Sequence, residues 1–92
     1  MPASERAVYD YHLSTIERSM RNLLRYAQNV RHENASARNM VEIGYQMGLL
    51  YKHMLDCTPP WALESEYTHD TCDGVVEGIL EFSSLFQVTK VW

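Results

Sequence analysis

Between residues 9 and 30, apolar side chains recur at alternating spacings of four and three: Tyr9, Leu13, Ile16, Met20, Leu23, Ala27 and Val30. No glycine or proline interrupts the run. A seam sustained over three heptads predicts an amphipathic helix over residues 4–31, packed along its length. His32-Glu33-Asn34-Ala35 breaks the pattern, and Ser36 is placed to cap a second helix. Met40, Ile43, Met47, Leu50, Met54 and Cys57 carry the same seam through residues 37–57. Matching seams joined by a short loop predict an antiparallel helix hairpin. A second stripe, Val41, Gly44, Gly48, Tyr51 and Leu55, runs beside the second seam. It predicts that helix two is covered on two sides and forms the central element.

Thr58-Pro59-Pro60 ends that helix, because proline disfavours helical backbone in the residue before it. The same residues can open a short helix near 59–67, with Thr58 as N-cap and Pro59 in the first position. Trp61, Leu63 and Tyr67 would then form a lid. Asp70 or Thr71 can cap a last helix over 71–88, whose seam is Cys72, Val75, Ile79, Phe82 and Phe86. Residues 86–92 are rich in β-branched and aromatic side chains, and periodicity leaves helix, extended tail and edge strand all open there. The expected fold is all-α: a small helical bundle forming one domain over residues 1–92.

Charge is segregated along the chain. Residues 1–40 hold six arginines against four acids, a net of +2, and residues 41–92 hold two lysines against eight acids, a net of −6. The overall charge of −4 disfavours general binding to phosphate backbones. Glu5, Arg6 and Asp10 stand where a signal peptide needs an apolar core, and no apolar run approaches the ~20 residues of a membrane span. The expectation is a cytoplasmic protein that does not enter a membrane, with Cys57 and Cys72 as reduced thiols.

Four groups of residues could carry function. Arg18, Arg21 and Arg25 share one ridge of the first helix, with Arg31 beyond them. Arginine pairs bidentately with carboxylate or phosphate, so this ridge is the expected partner-binding surface. Its alternative is a solvated face with local pairs such as Glu17–Arg21. Gly44/Gly48 and Gly74/Gly78 are small residues four apart, a spacing that lets helices approach closely. Each glycine inside a helix costs ~1 kcal/mol against alanine, so the pairs are expected to serve close packing. His53-x3-Cys57 and His69-x2-Cys72 form two close pairs of zinc-type ligands. Both cysteines also fall on apolar seams, so buried thiols, surface histidines and no bound metal or cofactor are expected. Met20, Met40, Met47 and Met54 lie on seams and are expected in the core.

Arg25-x6-His32 resembles the Arg-x4–6-His spacing of a family of helical RNases. That resemblance implies His32 as a general base acting on a ribose 2′-hydroxyl. The plainer reading of His32 is a helix C-terminal residue facing the negative end of the dipole. No phosphate loop, nucleophile elbow, His-Glu-x-x-His or paired catalytic carboxylates occur. By elimination the expected function is a stand-alone, non-enzymatic protein that inhibits or modulates a partner protein. Small viral and mobile-element proteins have this profile. A homodimer is expected, since so small a bundle buries only ~60–65% of its unfolded surface. The alternatives are a dimeric nucleic-acid regulator using the arginine ridge and a small helical RNase.

Overall fold

The computed structural model describes residues 3–32 and 37–86. Three helices, α1 (Ala3–His32), α2 (Ala37–Cys57) and α3 (Glu66–Phe86), pack into a rod of 50 × 22 × 17 Å. No strand occurs among the described residues. The fold is a small all-α bundle, with the expected hairpin in place. Between α2 and α3 the chain makes a 3-10 turn, Pro60–Glu64. α1 and α3 run parallel, because Glu17 and Met20 of α1 meet Gly74 and Gly78 of α3 in the same order. α2 runs antiparallel to both.

The α1 seam is the spine of the core. Tyr9, Leu13, Ile16, Met20, Ala27 and Val30 are buried, and Leu23 packs at the margin. Met40, Ile43, Met47 and Met54 of α2 close over one side of it, with Val75 and Phe82 of α3 on the other. All four seam methionines are therefore core residues.

The central element is α1, where the stripe pattern had pointed to α2. The second stripe of α2 is uncovered: Val41, Gly48, Tyr51 and Leu55 are exposed. What brings α3 onto α1 is the absence of side chains. A Cβ at Gly78 would lie 2.8 Å from Cγ of the fully buried Met20, and one at Gly74 would collide with the Glu17 carboxylate. Gly44 faces the Phe82 ring, with Cε2 3.0 Å from where its Cβ would be. Gly48 is different: a Cβ there meets nothing within 4 Å, so no helix crosses at that position.

The α2–α3 connection also differs from expectation. Thr58 does not cap the short helix. Its hydroxyl donates to the Met54 carbonyl at 2.7 Å and meets the Tyr9 hydroxyl at 2.9 Å, which ties the end of α2 to α1. Pro59 takes the cap position, and the turn closes through Ala62 N–H to the Pro59 carbonyl at 3.0 Å. Trp61 packs edge-on to Tyr9 at 5.5 Å, while Leu63 and Tyr67 face solvent, so the lid reduces to one tryptophan. α3 starts five residues earlier than residue 71, at Glu66. The Ser65 hydroxyl accepts from Thr68 N–H at 3.4 Å, a weak side-chain cap, and Asp70 and Thr71 lie inside the helix. The Ser36 cap and the conformation of residues 87–92 fall outside the described residues.

Two expectations follow for stability. Gly48→Ala should raise it by up to ~1 kcal/mol, the propensity gain at an open helical site, whereas Gly78→Ala should lower it against the trapped Met20. Thermal unfolding of the two variants tests the opposite signs. Thr68 is 1% exposed, and its buried hydroxyl has no hydrogen-bond partner among the described residues. Thr68→Val should therefore stabilise the fold by about 1–2 kcal/mol, and a lower melting temperature would show that the hydroxyl is satisfied.

Candidate functional site

α1 outruns the end of α2 by about two turns, and the 3-10 turn folds back against this overhang. The result is a cleft of about 490 Å³ bounded by Glu5, Val8, Tyr9 and His12 of α1 and by Cys57, Pro59 and Trp61 across from them. The Arg6 guanidinium lies 5.2 Å from the centre of the Trp61 ring and holds the tryptophan at the rim.

At the inner edge of the cleft three ligand-type side chains converge. His53 and Cys57 sit one turn apart on α2, and Cys57 Sγ is 3.5 Å from each ring nitrogen of His53. His12 reaches over from α1, with its Nε2 2.8 Å from His53 Nε2, so that one ring donates an N–H to the other. The two rings meet nearly perpendicular, at 78°, with centroids 4.9 Å apart. Ligand atoms of all three residues fall within 4.8 Å of one another.

His69 and Cys72 do not join this group. His69 Nε2 lies 2.6 Å from the Leu63 carbonyl, a bond that fastens the 3-10 turn to α3. Cys72 is half-buried on the α3 seam, and both cysteines are free thiols. The sequence pairing thus holds for His53 and Cys57 only, and the third member, His12, was not among the candidates. Its position one before Leu13 puts it at the border of the α1 seam, where periodicity marks it as exposed. Nothing in one-dimensional spacing links it to residue 53.

Arg18, Arg21 and Arg25 are exposed on α1, and Arg21 pairs with Glu17 at 3.2 Å. The side chains of Arg31 and His32 lie outside the described residues, so the RNase-like pair is not seen. A second depression, about 450 Å³, runs between α2 and α3 over Gly44, Met47, Gly48, Tyr51, Val76, Ile79, Leu80 and Phe82. Among the described residues no helix is long and apolar enough to cross a membrane. No protein-family model, curated protein or solved structure matches the chain.

Two groups near the cleft titrate abnormally. Burial pushes the Tyr9 phenol above its ordinary 10.0; nearby Cys72, Asp10 and Cys57 add to the rise, and the hydrogen bond with Thr58 opposes it. Burial, with Asp73 beside it, pushes the Cys72 thiol above 9.0. Both groups bind protons more tightly when folded, so their contribution to stability is intact below those values and declines as pH rises through them. The melting temperature should fall above about pH 9, and Tyr9→Phe combined with Cys72→Ala should flatten that fall. An unchanged alkaline slope in the double variant would place the loss elsewhere.

Proposed function

We propose that this protein is a non-enzymatic binding module that modulates a partner protein, and that its binding face is the groove between α2 and α3. The observation that carries this reading is the uncovered α2 stripe. Val41 is 65% exposed and Leu55 56%, and between them Gly48 opens the floor of the groove beside Leu80, itself 63% exposed. From residue 41 to residue 55 the stripe runs about 21 Å, long enough for some four turns of a docked helix. An apolar stripe of that length on a small protein marks an interaction surface.

The charge of the helix that forms one wall determines what fits. α3 carries Glu66, Asp70, Asp73, Glu77 and Glu81 and no lysine or arginine. The complementary partner is an amphipathic helix with an apolar face and basic flanks. A twofold pairing of the groove with a second copy would bring two acidic α3 helices together, which ranks the homodimer below a different protein as occupant. Association with nucleic acid meets the same repulsion at this face, and no arginine lines the groove. In this reading the protein works in a reducing, cytosol-like compartment, where both cysteines stay thiols.

Titration with a leucine–lysine amphipathic helical peptide, followed by backbone amide shifts, tests the assignment. The shifts should map to α2 and α3. Gly48→Leu and Leu80→Asp should each weaken binding at least about tenfold, a loss of ~1.4 kcal/mol. Reversing Arg18, Arg21 and Arg25 to Glu should leave peptide affinity within about twofold, because exposed substitutions away from an interface are near neutral. Loss of binding in the arginine variant alone would return the interface to the ridge, and a doubled mass by light scattering would put a second copy in the groove.

A further inference from the structure

His69 and Cys72 stay apart from His53 and Cys57, but the fold supplies the first pair with a third ligand from another helix. We propose that His12, His53 and Cys57 bind a single zinc-type divalent ion that joins α1 to the last turn of α2. A tetrahedral zinc ion with Zn–N near ~2.0–2.1 Å and Zn–S near ~2.3 Å sets its ligand atoms about 3.3–3.6 Å apart. The Cys57–His53 separation of 3.5 Å already meets that requirement. The His12–His53 separation of 2.8 Å is a hydrogen bond, and it must open by about 0.5 Å when a metal replaces the shared proton. His12 and Cys57 lie within 4.8 Å and close toward the same range, and with both rings exposed these adjustments fall to side-chain rotation.

Three further features suit a cation here. Two imidazoles and one thiolate are the ligand types that zinc prefers. His53 and Cys57 lie in the last two turns of α2, where unpaired carbonyls make the helix end negative, and no basic residue occupies its last turn. His12 and Cys57 also line the cleft, so the fourth coordination position would open into it and be filled by water or by a small donor ligand. The site is separate from the α2–α3 groove, and its test is independent of peptide binding.

The experiment is a Co²⁺ titration of the whole reduced chain, read by its absorption spectrum. One Co²⁺ per chain should bind, with intense visible d–d bands of four-coordinate cobalt and a thiolate-to-metal charge-transfer band, and Zn²⁺ should displace it. His12→Ala and Cys57→Ser should each weaken binding more than ~100-fold, since even groups that only orient a ligand are worth ~10–100-fold. Cys57→Ser should also abolish the charge-transfer band, whereas His69→Ala and Cys72→Ser should keep both. Circular dichroism establishes that each variant is folded. In the unsubstituted chain, Zn²⁺ should protect Cys57 from alkylation and leave Cys72 unprotected, a readout that needs no variant. Absence of the charge-transfer band in the reduced wild-type chain, its survival in Cys57→Ser, wild-type affinity in folded His12→Ala, or equal protection of both thiols would each overturn the site.

Discussion

The fit of Gly74 and Gly78 against Glu17 and Met20 is the contact on which the remaining arrangement depends. It sets α3 parallel to α1 at close range and fixes their register. Met20, fully buried, fills the space a side chain at residue 78 would have taken, so the two surfaces interlock through the groove of one helix and the ridge of the other. With α3 drawn in this closely, α1 is covered on two sides by two different helices. α2 and α3 touch each other less, chiefly where Gly44 admits the Phe82 ring. The open furrow between them results from the same interlocking.

The helices themselves were legible because each buries one stripe at a 3.5-residue repeat, and a stripe is written in apolar letters. Every α1 seam position is buried or packed at the margin of the core. Which helix lies at the centre was not legible, for a chemical reason. The contact that draws α3 onto α1 sets glycines against Glu17 and Met20, and a glycine has no apolar side chain to mark it in the pattern. The apolar second stripe of α2, in contrast, faces solvent. Hydrophobic pattern reports the capacity to be covered, and geometry decides what covers it.

The start of α3 and the cleft show the same division. Thr58 was a plausible cap by residue type, but the Tyr9 hydroxyl and the Met54 carbonyl engage it instead. Ser65 took the capping role without a Glu or Gln three residues on that would have flagged it. At the metal-type cluster, His53 and Cys57 were visible as an i, i+4 pair because both ligands are on one helix. His12 depends on the register between α1 and α2, which the half-buried Tyr9–Thr58 bond sets at the end of the hairpin. The overhang of α1 past that bond is what leaves room for the cleft.

Three passes in an up–down–up order have a consequence for how the chain can be joined to anything else. From the register of Gly74 beside Glu17, the last turn of α3 stands level with about residue 28 of α1, roughly 37 Å along the axis from Ala3. The two ends of the described chain therefore emerge at opposite poles of the rod. A segment leading from Phe86 back to Ala3 would have to span that length, about a dozen extended residues. Groups attached at Ala3 and at the last turn of α3 would be held apart by the bundle, which would serve as a stiff spacer between them.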